Sequence, residues 1–198
     1  MTLVALINFL MLLVLLPIKY MISPGLYRHL TTTLLDLSVP GFLCVPFSWA
    51  NCRVRCNGLG YLRDRAKENG LILSNHSARV DWIIGLFIGT YYYTRVGFVT
   101  EAFVLLLPIV GWFRMLCEDM FVFRSFKKDK IRLKENIDAF HDSGVKRWVF
   151  LSPEGMIADF SDFDRKYIED CRSFCKSRGM KPFDMCLTPR YKGITVFN

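Results

Sequence analysis

Leu71-Ile72-Leu73-Ser74-Asn75-His76-Ser77-Ala78-Arg79-Val80-Asp81-Trp82 is a short apolar run that breaks abruptly into a polar cluster. Just before it, Asn69-Gly70 reads as the C-cap of a helix over Tyr61 to Glu68, so the run that follows reads as a strand. Similar short runs recur at Met120 to Phe123, Trp148 to Ser152 and Met185 to Thr188. Helix-like stretches separate them, clearest at Lys128 to His141, where Ile131, Leu133, Ile137 and Phe140 recur near helical spacing. This alternation predicts an α/β fold, a mixed sheet flanked by helices. In open α/β sheets, ligands gather at the carboxyl ends of the strands. Three of the four predicted strands end there in distinctive polar residues: Asn75-His76, Pro153-Glu154-Gly155 and Pro189-Arg190. The fourth ends at Arg124.

His76 and Asp81 lie five residues apart, which on one continuous helix would turn them about 140° from each other. They meet only if His76 sits in the strand-to-helix turn and Asp81 reaches back from the first helical turn. Asp81 can then accept from one imidazole nitrogen and leave the other free to take a proton. That is the base and orienting acid of a catalytic triad without its nucleophile, which a substrate hydroxyl would supply. The same residues also fit a plain helix cap, and Asn75-His76-Ser77 fits an N-glycosylation acceptor. A glycan there would cover the histidine, so glycosylation and catalysis exclude each other.

Towards the amino terminus, Thr2 to Ile18 carries no charge and is rich in Leu, Val, Ile, Phe and Met. It lacks the basic start and small-residue cleavage site of a secretory signal, so it reads as an uncleaved membrane anchor. A second apolar stretch, Leu34 to Ala50, is interrupted by Asp36, Pro40 and Pro46, and predicts a re-entrant or interfacial piece. Residues 1–50 therefore read as an anchor or hairpin and 51–198 as the α/β domain. The segment from Phe103 to Leu116, broken by Pro108 and Gly111, reads as membrane-dipping or acyl-lining. Tyr91-Tyr92-Tyr93 reads as an interface anchor or as core.

The whole chain of 198 residues is 52% hydrophobic yet carries +8, which excludes disorder and disfavours a nucleic-acid partner. Only Lys19, Arg28 and Asp36 are charged in the first fifty residues, so +7 of the +8 lies beyond them. Local excesses at Arg53–Lys67, Arg124–Lys134 and Arg165–Lys181 suit phosphates or an anionic leaflet, although basic runs also form solvated faces. The seven cysteines and three histidines show no zinc-ligand spacing and read as reduced thiols and non-ligands. Nucleotide, zinc-protease and serine-hydrolase signatures are absent.

Four blocks in order, at residues 75–81 (NHSARVD), 121–124 (FVFR), 152–155 (SPEG) and 186–193 (CLTPRYKG), resemble those of the glycerolipid acyltransferase family. That family carries an NH-x4-D box, a segment ending in F-x-x-R, a PEG box and a hydrophobic run ending in proline. The layout is most similar to its membrane-anchored lysophosphatidic acid and lysocardiolipin acyltransferase branch, and it covers Gly70 to Gly193. The resemblance implies acyl transfer from acyl-CoA to the free hydroxyl of an anionic lysophospholipid at the endoplasmic reticulum or a mitochondrial contact, with no metal or redox cofactor. It implies His76 as general base and Asp81 as its support. Arg124 would grip phosphate, Glu154 and Gly155 would bind the glycerol-phosphate acceptor, Pro189 would shape the acyl-donor side, and Asn75 joins the substrate-binding set. One departure stands out: the family's box commonly continues into Thr and Arg, whereas here it runs Met156-Ile157-Ala158-Asp159. That departure, and a chain ending five residues past Gly193, keep a second reading open: a lipid-binding or regulatory membrane protein of the same fold, inactive or truncated.

Overall fold

With no charge from Leu3 to Ile18, the chain opens in helix α1 (Thr2–Met21). Ser23 ends the turn that follows: its hydroxyl accepts from the Leu26 N–H at 3.3 Å, and Pro24 takes the first position of α2 (Pro24–Cys44). This computed structural model describes residues 2–58, 60–65, 67–92, 94–157, 165–184 and 186–197. Ala66, Tyr93, Ala158, Asp159 and Met185, on which parts of the sequence reading draw, lie outside the described residues.

The prolines predict a broken second segment, but α2 continues through Pro40 and runs into a π-helical turn, Val45–Trp49. Pro40 removes one helix hydrogen bond, and contacts on both sides of it hold the helix. Ser38 Oγ donates to Asn8 Oδ1 of α1 at 2.5 Å, and Phe42 stacks on Phe113 at 6.0 Å. Pro46 falls in the π turn, which the Ala50 N–H closes on the carbonyl of Val45. Leu3–Met21 and Pro24–Trp49 are each long and apolar enough to cross a membrane.

After residue 50 the α/β alternation appears as expected. The helix predicted over Tyr61 to Glu68 shrinks to one turn, α3 (Gly60–Arg63). Gly70 is no C-cap but the first residue of β1 (Gly70–Leu73), and the Asn69 side chain instead accepts from the Arg147 N–H at 3.0 Å. Then come α4 (Trp82–Tyr91), β2 (Arg95–Glu101), a 3-10 turn (Ala102–Leu106), α5 (Val110–Leu116) and β3 (Met120–Val122). They are followed by α6 (Phe126–Asp142), β4 (Arg147–Leu151), α7 (Arg165–Ser177) and α8 (Tyr191–Ile194). The four strands lie in the order β1-β4-β2-β3, and every pairing is parallel. The sheet predicted as mixed thus runs in one direction, because helices carry the crossovers between strands.

Two strand predictions need correction. β2 is absent from the sequence reading, although it sits between β4 and β3. The run predicted as a strand near residues 185–188 makes no ladder among its described residues; the Leu187 N–H goes to the Glu154 side chain instead.

β4 is buried along its whole length and begins with a buried arginine. The Arg147 guanidinium donates to Asn136 Oδ1 at 3.0 Å, to the Glu118 carbonyl at 3.2 Å and to Asp119 Oδ1 at 3.3 Å. It lies against Gly97 of β2, where any Cβ would collide with the guanidinium. Gly97→Ala is therefore expected to prevent accumulation of folded protein, as checked by recovery of the expressed chain in monodisperse form.

Next to Asp119, Glu118 holds the helical hairpin. Lys19 Nζ approaches its carboxylate at 2.7 Å, and Arg28 does so through Nε at 2.7 Å and Nη2 at 3.3 Å. Burial pushes the Glu118 carboxyl up, but Lys19 and Arg28 outweigh it and hold it below the usual carboxylate range. Because the folded value lies below the unfolded one of about 4.3, this stabilisation is complete above that pH. It fades as pH falls through the folded value. Glu118→Gln should cost about 1–3 kcal/mol at neutral pH by leaving the half-buried Lys19 and Arg28 without their carboxylate, and should flatten the acid limb of a plot of thermal midpoint against pH.

Candidate active site

Parallel strands deliver all their carboxyl ends to one edge of the sheet, and the predicted residues gather there. β1 and β4 are neighbours with Leu73 opposite Leu151, and the Ser74 N–H extends the pairing to the Leu151 carbonyl at 3.1 Å. The segment after β1 (Asn75-His76) therefore lies beside the one after β4 (Pro153-Glu154-Gly155). On the other side, Glu101 ends β2 and Arg124 follows β3.

His76 lies in the turn between β1 and α4, and Asp81 is the N-cap residue of α4, one position before the helix. His76 Nδ1 is 3.0 Å from Asp81 Oδ2, and the same oxygen accepts the N–H groups of Ser77 at 2.8 Å and Ala78 at 3.0 Å. Burial pushes the Asp81 carboxyl up, but the Ala78 N–H, the His76 ring and the Ser77 N–H outweigh it and keep it below the usual range. An ionised Asp81 only accepts, so Nδ1 carries the proton in this contact and Nε2 is left with its lone pair. The His76 side chain is 30% exposed and lines a cavity along this edge.

Glu154 is 3% exposed, and both of its oxygens accept from backbone: one from the His76 N–H and the other from the Leu187 N–H, each at 3.2 Å. It ties the segments at 75–81, 152–155 and 186–190 together. Arg190 adds a second tie, its N–H donating to the Pro153 carbonyl at 2.8 Å. Gly155 turns the chain at φ +73°, a conformation that suits glycine.

Arg124 also has a left-handed backbone, with φ +58°. Its loop is held by the buried Asp129, which accepts from the N–H groups of Phe123 and Ser125, each at 2.9 Å. The guanidinium is paired with the Glu101 carboxylate, Nε to Oε1 at 2.6 Å. The lysines and arginines of the following run are exposed, as a solvated basic face would be.

A cavity of about 1570 Å³ opens along this edge, larger than the roughly 300–1,000 Å³ of ordinary small-molecule sites. Its lining combines apolar side chains, among them Leu35, Val39 and Phe42 of α2 with Leu86, Phe103 and Leu107, with the polar His76, Arg79, Arg124 and Arg190. Gly155 and Pro189 are on its wall. Asn75 and Glu154 are not among the lining residues, and the Asn75 amide donates to Ser77 Oγ at 2.6 Å. The segment from Phe103 to Leu116 contributes apolar wall through Val104, Leu107 and Val110. Arg79, Glu101, Tyr167 and Arg190 are lining residues the sequence reading did not select. Arg190 was quoted within the fourth block, so its place beside Pro189 was the available signal.

All seven cysteines are free thiols, with only Cys117 and Cys175 buried. Burial pushes the Cys117 thiol up to about 12, with Asp119 adding to it. Among the described residues, no three of His, Cys, Asp and Glu gather as a metal site requires.

Glu154→Ala should leave two buried N–H groups without partners, costing about 1–3 kcal/mol for each. Faster amide exchange confined to residues near His76 and Leu187, while the β2 core keeps its protection, is the expected signature.

A family model described as Acyltransferase matches residues 53–180. 1-acyl-sn-glycerol-3-phosphate acyltransferase 3 of Arabidopsis thaliana is 27% identical over 180 residues, 86% of this chain and 45% of its own length. 1-acyl-sn-glycerol-3-phosphate acyltransferase epsilon of Mus musculus is 25% identical over 132 residues, 66% of this chain and 36% of its own. Lysocardiolipin acyltransferase 1 of Mus musculus is 27% identical over 130 residues, 65% of this chain and 33% of its own. The chain spans less than half the length of each of these relatives. No solved structure matches it.

Proposed function

The chain belongs to the acyltransferase family, and we propose that it moves a fatty acyl group from acyl-CoA to the free hydroxyl of an anionic lysophospholipid. The observation that carries this reading is the His76–Asp81 contact on the wall of a cavity lined by both apolar side chains and guanidinium groups. The apolar lining suits an acyl chain, and the guanidinium groups suit phosphates.

In the proposed reaction the acceptor hydroxyl sits against His76 Nε2. As its oxygen attacks the thioester carbonyl, its proton passes to Nε2, and the imidazolium is stabilised by Asp81. The tetrahedral oxyanion collapses, the carbon–sulfur bond breaks, and the proton on Nε2 goes to the departing coenzyme A thiolate. The thioester is already activated, so the chemistry proposed here draws on no metal or redox cofactor; positioning and proton transfer do the work. Glu154 contributes by fixing the backbone of His76.

We assign α1 and α2 as the membrane anchor, since both are apolar enough to span and most of their surface is open to the surroundings. The endoplasmic reticulum membrane is the proposed location, by resemblance to the lysophosphatidic acid and lysocardiolipin branch. A second reading, a lipid-binding protein without turnover, draws on Met156 and Ile157, which line the cavity where the family pattern carries Thr and Arg.

Membranes containing the chain, given labelled acyl-CoA and a panel of lysophospholipids, should yield diacylated product. His76→Ala should lower the rate about 10²–10⁴-fold while membrane association stays intact. Full activity in that variant would sink the mechanism, and lipid binding by the wild type without product from any acceptor would favour the second reading.

A further inference from the structure

Two arginines that line the cavity differ in how their charge is met. Arg124 is paired with the Glu101 carboxylate, so its positive charge is already balanced within the protein. Arg190 has a neutral partner: Nη2 donates to the Tyr167 hydroxyl at 2.7 Å. Among the described residues it makes no ion pair, and Asp170, one turn beyond Tyr167 on the same wall, does not pair with it.

The position of Arg190 is fixed from both ends. Its N–H is bonded to the Pro153 carbonyl, and its side chain lies across Gly155, where a Cβ would stand 3.6 Å from Cδ, Nε and Nη1. Through Glu154, that same turn holds the backbone of His76. A planar guanidinium with spare donors is therefore steadied on the wall of the cavity that His76 also lines. No cation follows Gly155 directly, since Met156 and Ile157 come next.

We propose that Arg190, steadied by Tyr167 and laid across Gly155, binds a phosphate group of a substrate in this cavity. The inference rests on the acyl-transfer reading above and deepens it. A phosphate could come from the lysolipid head group or from coenzyme A; the guanidinium fork suits either, through paired charge-assisted hydrogen bonds.

The test uses the full chain in membranes, with Arg190→Gln, Arg190→Lys and Tyr167→Phe. Lysophosphatidic acid is varied at saturating oleoyl-CoA, then oleoyl-CoA at saturating lysophosphatidic acid. Arg190→Gln is expected to raise KM for one of the two about ten- to a hundredfold, with a smaller change in kcat. Lys should recover part of the loss, because it restores the charge without the fork. Tyr167→Phe should raise the same KM about two- to fivefold, as loss of one neutral hydrogen bond does. A rise confined to lysophosphatidic acid assigns the phosphate to the head group, and one confined to oleoyl-CoA assigns it to the donor. Unchanged KM for both in Arg190→Gln overturns the proposal.

Direct binding of lysophosphatidic acid and of coenzyme A to wild type and Arg190→Gln is measured alongside. Should the wild type transfer no acyl group, the acyltransferase reading fails. Arg190 is then judged on binding alone: weaker binding of either ligand by the variant supports it, and equal binding of both overturns it.

Discussion

Glu118 and Asp119, neighbours between α5 and β3, hold the helical hairpin and the sheet to each other. Glu118 takes Lys19 and Arg28 from the hairpin. Asp119 takes Arg114 of α5 at 2.7 Å, Arg147 of β4 at 3.3 Å and the Phe98 N–H of β2 at 2.9 Å. Burial, and then the neighbouring charge of Arg95, push the Arg147 guanidinium down to about 10, which still leaves it charged at neutral pH. A charge so deeply buried is tolerated only with partners, and removing one of them strands the other. Glu118 also adopts a left-handed backbone, φ +55°, at the bend that sets the two acids side by side.

This cluster bears on the site because the hairpin is more than a tether. α2 supplies Leu35, Val39 and Phe42 to the cavity wall. The same helix is fixed by Arg28 on Glu118, by Tyr27, whose hydroxyl donates to the Leu116 carbonyl at 2.6 Å, and by Thr32, which accepts from Arg95 at 2.9 Å. Moving the hairpin would therefore reshape the cavity wall, whereas the hydrogen bonds of His76 and Asp81 run within residues 76–81 and to Glu154 rather than to the hairpin.

What could be read from the sequence divides into local and non-local features. The offset of five between His76 and Asp81 is unfavourable on one helix face. The sequence therefore named a strand-to-helix turn as the condition for their meeting, beside the plainer reading of a helix cap, and the structure meets that condition. The strand ends were legible too, because short apolar runs met polar clusters at 73–76, 122–124 and 151–155. Strand order was not, and it decides what Glu154 touches: only the pairing of β1 with β4 brings its carboxylate to the His76 backbone. β2 carries Val96, Phe98 and Val99, suitable strand residues, but Gly97 and two flanking charged residues hid it, and the reason for Gly97 lies on another strand in Arg147. The four-residue run before Pro189 shows the opposite failure, since a short apolar run does not by itself distinguish a ladder from a buried loop.

Net charge is the clearest case in which a sum misleads. Lys19, Arg28, Arg114 and Arg147 pair with Glu118 or Asp119, and Arg95 bonds the Cys117 carbonyl beside them. These five cations and two carboxylates put three of the eight net positive charges in one largely interior cluster, not offered to a partner. Too few carboxylates are present to balance five cations, and other groups make up the difference. The carbonyls of Cys117, Glu118 and Ala139 accept from Arg95, Arg147 and Arg28. The ring of Phe140 lies 4.2 Å from the Arg147 guanidinium carbon, 4.9 Å from that of Arg95 and 5.2 Å from that of Arg28. An aromatic face attracts cations without adding a charge to be desolvated, so one phenylalanine can serve three guanidiniums where a third carboxylate would need its own burial. The positive charge left for an anionic partner is thus smaller than the composition suggests, and it lies on the exposed basic residues of 53–67, the start of α6 and 165–181, and on the arginines around the cavity.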